Sequence, residues 1–86
     1  MHNMEVVITP QAAEQIDRLP KVIRARMYAL ADRLRAWPNV SGVKALTGNL
    51  AGRYRARTGD YRLQFYVVGN RLMVERVGHR DGFYEV

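Results

Sequence analysis

Arg53-Tyr54-Arg55-Ala56-Arg57-Thr58-Gly59-Asp60-Tyr61-Arg62-Leu63-Gln64-Phe65-Tyr66-Val67-Val68-Gly69-Asn70-Arg71-Leu72-Met73-Val74-Glu75-Arg76-Val77 carries the alternation that decides the fold. The pattern predicts three strands, Leu50 to Thr58, Tyr61 to Val68 and Arg71 to Val77, reversing at Thr58-Gly59-Asp60 and at the two-residue connection Gly69-Asn70. Side chains two apart on a strand share a face, so Tyr61, Leu63, Phe65 and Val67 lie together and Arg62, Gln64, Tyr66 and Val68 lie opposite them. By the same rule Arg53, Arg55 and Arg57 line one face and leave Tyr54 and Ala56 for the other. One side of this meander is core, and the other is a partly open surface.

The residues before the meander supply its cover. Glu5-Val6-Val7-Ile8 is expected to be a short first strand, after which Thr9 caps a helix and Pro10 stands where a missing N–H costs nothing. Ala12, Ala13, Ile16 and Leu19 form an apolar stripe through a short helix, which Pro20 ends, or else Pro20 begins a new one. From Lys21 to Ala36, Ile23, Met27, Leu30 and Leu34 recur at helical spacing, while Arg24, Arg26, Asp32, Arg33 and Arg35 fall largely elsewhere. Trp37-Pro38 closes this second helix. Residues 39–49 have the Gly and Asn content of a loop, anchored by Val43 and Leu46. Gly78-His79-Arg80 leaves the sheet, and Phe83-Tyr84-Glu85-Val86 is expected to lie back against it. The expected fold class is α+β: an N-terminal strand, a two-helix hairpin and an antiparallel three-strand meander, one sheet with helices on one face.

At 86 residues the chain is expected to form one domain spanning 1–86, with 1–3 a flexible start, burying ~60% of its unfolded surface. Its formal charge is +6 and its pI about 10.3. Of 14 Lys and Arg residues, those at 44, 53, 55, 57, 62, 71, 76 and 80 crowd the stretch from Lys44 to Arg80, against the acids Asp60 and Glu75. Such a field favours a polyanionic partner. Cysteine is absent, which excludes disulfides, thiolate nucleophiles and sulfur-ligated zinc. The two histidines lie far apart and the acids are scattered, so neither metal nor cofactor is expected. No apolar run reaches the roughly 18 residues of a membrane span and no signal-peptide core is visible, so no membrane partner and a cytoplasmic location are expected. Gly48-Asn49-Leu50-Ala51-Gly52 lacks the lysine and spacing of a P-loop.

Arg55, Arg57, Arg62, Arg80 and Tyr84 are the candidate site. Cleavage of RNA through its own 2'-hydroxyl needs activation of that hydroxyl, stabilisation of charge on pentavalent phosphorus and protonation of the departing 5'-oxygen. The planar guanidinium suits the second task and carries protons poorly. Proton traffic therefore falls to Tyr84, to His79, to water or to the substrate. Lys44, Arg53 and Tyr66 are expected to contact RNA, with Tyr66 able to stack on a base. Each residue also has a plainer role: an arginine row can be solvated surface, His79 a hydrogen-bonded structural residue, and Tyr84 a packing residue.

Trp37-Pro38, Val43-Lys44-Ala45-Leu46, Gly52-Arg53-Tyr54-Arg55-Ala56-Arg57, Gly59-Asp60-Tyr61-Arg62 and Val77-Gly78-His79-Arg80 with Tyr84 closely resemble the RelE/ParE superfamily of toxins from toxin–antitoxin pairs, over nearly the whole chain. Within it the chain looks more like the RelE branch, whose members cut mRNA, usually in the ribosomal A site. The resemblance implies the toxin of a type II pair, a metal-independent endoribonuclease. It places Arg55 and Arg57 at the two basic positions of the first central strand, where relatives often have lysine, and Arg62 at the arginine that stabilises the transition state. Arg80 falls at the arginine near the last strand, and Tyr84 at the C-terminal tyrosine that stacks on a base or moves a proton. A histidine near His79 takes the proton in some cousins, and Gly-His-Arg also occurs in relatives that poison DNA gyrase. A ParE-like gyrase poison without nuclease activity, and an inactive antitoxin-binding module, are the alternatives. The implied partners are a cognate antitoxin, mRNA and ribosome, with operator DNA reached only through the antitoxin complex.

Overall fold

Thr9 leaves β1 (Glu5–Ile8) in extended conformation, and its Oγ1 accepts the Ala12 N–H at 3.2 Å, starting α1 (Pro10–Asp17) with proline in the first turn. Pro20 then separates α1 from α2 (Lys21–Arg33). The computed structural model describes residues 4–83. Beyond the helices come β2 (Lys44–Ala45), β3 (Tyr54–Thr58), β4 (Tyr61–Val68) and β5 (Arg71–His79).

The strands form one sheet in the order β1-β5-β4-β3-β2. β1 runs parallel to β5, Glu5 opposite Arg71 and Ile8 opposite Val74, and the other pairings are antiparallel. Both helices pack on one face. Ala12 and Ile16 of α1, Met27 and Leu30 of α2, and Leu34 bury themselves against Ala56, Leu63, Phe65, Leu72, Val74 and Val77. Tyr54 and Phe65, a cross-strand pair, stack at 5.4 Å, and Trp37 stands 4.7 and 5.2 Å from them, fastening the exit of α2 to the middle of the sheet.

The α+β class, the helix hairpin and the meander are as the sequence predicts, with four differences of detail. The second helix ends at Arg33, and Leu34–Ala36 finish it as a tighter 3-10 turn. The strand expected from Leu50 starts at Tyr54, because Gly48–Leu50 coil into a 3-10 turn and Gly52 takes φ 90°, which an extended strand does not tolerate. The loop before it contains β2, whose two residues pair with Tyr54 and Arg55 and add a strand to the meander. β5 continues to His79.

β5 also holds an irregularity that shapes the open face. Gln64 stands opposite Arg76 and the next residue, Phe65, opposite Val74, so Glu75 has no partner and forms a β-bulge. Past the end of β1, α1 supplies β5 with an acceptor: Gln15 Oε1 receives the Val77 N–H at 2.7 Å.

Candidate functional site

With the helices covering one face, the alternation of β3 and β4 sends their arginines to the other. Arg57 stands directly opposite Arg62, which stands opposite Gly78. Like charges paired across strands destabilise a sheet, and an anion between them reverses that sign. Arg62 folds toward the β3–β4 turn, its Nη1 donating to Gly59 O at 3.2 Å and Tyr61 O at 3.4 Å. Arg80 meets the same turn: its backbone N–H donates to Asp60 O at 2.8 Å, and its guanidinium lies 3.8 Å from Asp60 and 3.7 Å from Asp81. Those loose, exposed ion pairs are worth about 0–1 kcal/mol, little enough for a phosphate to displace. Arg62 and Arg80 thus meet around residues 59–61, with Arg57 across the ladder from Arg62.

The next row runs Lys44, Arg55, Gln64, Arg76 across four strands. Arg76 donates through Nη2 to Gly82 O at 3.0 Å and lies 4.0 Å over the Phe83 ring. Phe83 lies over Gly78, where an added Cβ would stand 3.4 Å from its ring, at ordinary contact distance. Phe83 thus lies against the open face, and the rest of the segment expected there, Tyr84-Glu85-Val86, lies outside the described residues. Beyond this row, Arg53 lies 4.7 Å over the ring of Tyr66 and is held by Glu75.

His79 is elsewhere. It stands opposite Tyr61 and meets its ring edge-on at 5.1 Å, which by alternation is the helix-covered side. Its Nδ1 accepts the Asp81 N–H at 3.1 Å, capping the 3-10 turn Arg80–Gly82. The same nitrogen is 3.4 Å from the Asp81 carboxylate, but a nitrogen whose lone pair accepts an N–H cannot also donate, so we read a cap rather than an ion pair. Tyr84 lies outside the described residues.

Three residues that sequence reasoning did not select reach this region. Glu75 and Arg76 share the open face because the bulge turns consecutive side chains the same way; the trace in the sequence is the three-residue step from Val74 to Val77, where alternation requires two. Arg26 of α2 brings Nη1 to 3.9 Å from the Cβ position of Gly59. A depression of about 530 Å³ between Asp32, Arg33, Ala36, Asn39, Val40 and Ser41 is apart from these arginines. Among the described residues no helix is long and apolar enough to cross a membrane.

No family model and no curated protein matches the sequence. Solved structures do. The toxin-antitoxin complex RelBE2 from Mycobacterium tuberculosis contains a chain 31% identical to this one, over 91% of this chain and 99% of that, with a TM-score of 0.81. The chain belongs to the RelE-like toxin superfamily. The archaeal RelE-RelB complex from Pyrococcus horikoshii is 26% identical over 94% of this chain and 99% of its own, at a TM-score of 0.76. A mutant E. coli RelE toxin in the free state is 16% identical over 92% of this chain and 84% of its own; at a TM-score of 0.71 that likeness concerns the RelE fold alone.

Proposed function

We propose that this RelE-like toxin cuts mRNA in the ribosomal A site, without a metal, by driving attack of the RNA's own 2'-hydroxyl on the adjacent phosphorus, and that an antitoxin holds it in check. The observation that carries the reading is Arg57 facing Arg62 on the helix-free side of the sheet. The pair grips the two non-bridging oxygens of the scissile phosphate, and Arg80, released from Asp60 and Asp81, adds a third donor fork. Arg55 and Lys44 hold the flanking backbone.

As the 2'-oxygen bonds to phosphorus its proton leaves, and negative charge builds on the equatorial oxygens, where the guanidinium groups stabilise it. The bond to the 5'-oxygen then breaks and that oxygen takes a proton. The products are a 2',3'-cyclic phosphate and a 5'-hydroxyl. Arginine performs neither proton transfer well. We assign one of them to Tyr84, since His79 is turned to the other side of the sheet and its Nδ1 is occupied.

The solved RelE relatives in complex with antitoxins support a cognate antitoxin for this chain as well. An acidic segment laid across the arginine rows would neutralise them and exclude RNA. A toeprint on translating ribosomes tests the reading: new cleavages within the A-site codon that disappear with Arg62→Ala support it. Intact mRNA in cells that accumulate gyrase-linked DNA breaks would overturn it in favour of gyrase poisoning.

A further inference from the structure

Arg53 is held on two sides, by a carboxylate and by an aromatic ring. Its guanidinium is fixed edge-on by a carboxylate, Nε to Glu75 Oε2 at 3.0 Å and Nη2 to Oε1 at 3.5 Å. Glu75 is itself fixed, because the bulge puts it there and Gln64, only 5% exposed, donates Nε2 to the same Oε2 at 3.0 Å. The charge of Arg53 is therefore compensated and its donor edge engaged, so a phosphate would have to displace Glu75 to use it. Its flat surfaces are not engaged in this way. One lies on the Tyr66 ring at 4.7 Å, and 39% of the side chain remains exposed.

A rigid, delocalised plane backed by an aromatic ring is suited to a ligand that binds by its own face. RNA offers such a ligand in an unstacked base, which stacks on guanidinium planes as well as on aromatic rings. We propose that Arg53 and Tyr66, clamped by Glu75 and Gln64, form a stacking platform for a nucleobase flanking the scissile phosphate. Arg53 stands four residues from Arg57, ~13 Å along an extended chain, so the stacked base belongs to a neighbouring nucleotide. The platform rests on the nuclease reading and adds to it a preference for purines, whose larger rings stack better, at that neighbour.

The test uses Arg53→Lys, which keeps charge and reach but loses the plane, and Tyr66→Leu, which removes the backing ring. Arg71→Gln, at the far end of β5 beside Glu5, controls for loss of one positive charge. Two measurements are made: cleavage kinetics on ribosomes programmed with purine or pyrimidine at the flanking position, and quenching of 2-aminopurine placed there in an mRNA made uncleavable by a 2'-deoxy sugar. Both platform variants should raise KM about 5- to 100-fold with kcat little moved, abolish the purine preference and relieve the quenching. Arg71→Gln should do none of these. If Tyr66→Leu does not fold, Arg53→Lys, checked by its melting curve, decides alone. Wild-type kinetics and quenching in Arg53→Lys would overturn the platform while leaving the nuclease intact. A wild-type protein that cleaves no RNA would overturn both.

Discussion

Arg57 and Arg62, opposite each other across β3 and β4, are the pair on which the proposed chemistry rests. Replacing Arg62 by Ala removes repulsion with Arg57, so the melting temperature should stay level or rise slightly, within about 0.5 kcal/mol of the wild type. Cleavage read by toeprinting should nonetheless fall about 10²- to 10³-fold, the usual cost of losing one donor aimed at developing charge. Loss of stability and activity together would point instead to a structural residue. His79 gives the opposite contrast. Asn offers an acceptor near the position of Nδ1, so His79→Asn should keep the cap on Asp81 and most of the cleavage rate, whereas His79→Ala should lose about 0.5–2 kcal/mol of stability, measured by thermal unfolding. At this scale Arg55, Arg57 and Arg62 were legible because a period of two survives any small error in strand ends. Glu75 and Arg76 were not, since one extra residue reverses the parity of everything after it, and the role of His79 depends on which face its strand position reaches.

The elements show why that extra residue is tolerated. The bulge at Glu75 disturbs the β4–β5 ladder, and β1 ends opposite Val74, so the outer edge of β5 beyond it needs an acceptor from outside the sheet. α1 provides one through Gln15, whose side chain therefore ties helix to strand in place of a longer β1. Gln15→Leu leaves the Val77 N–H without that acceptor and should cost about 1–3 kcal/mol in denaturant unfolding, with the slope against denaturant unchanged. An unchanged midpoint would mean that water replaces the amide. The helices and the long strands could be recognised because their periodicity runs over many residues. β2 could not: two exposed residues carry no period, and only the register with Tyr54 and Arg55 reveals them as a strand.

Over the whole molecule, the helices take one side of the sheet and the arginines of β3 and β4 the other, so RNA binding at that face should answer to salt as a polyelectrolyte contact does. The logarithm of RNA affinity should fall linearly with the logarithm of salt concentration, and Arg57→Ala should shallow that slope by about 0.7, the contribution of one phosphate on a single strand. Arg53→Lys should weaken binding without changing the slope, because it loses a stacked plane rather than an ion. The excess of basic residues was plain in the sequence, but the parallel marriage of the first strand to the last was not, for no local pattern encodes a partner 66 residues away. That closure also imposes an order of events on biosynthesis. A growing chain that has made its helices and even β4 still lacks the strand that flanks β4, positions Glu75 and docks β1. If the toxin cuts mRNA as proposed above, a copy that has not yet released β5 lacks Arg76 and Arg80 and is no threat to the ribosome that is making it.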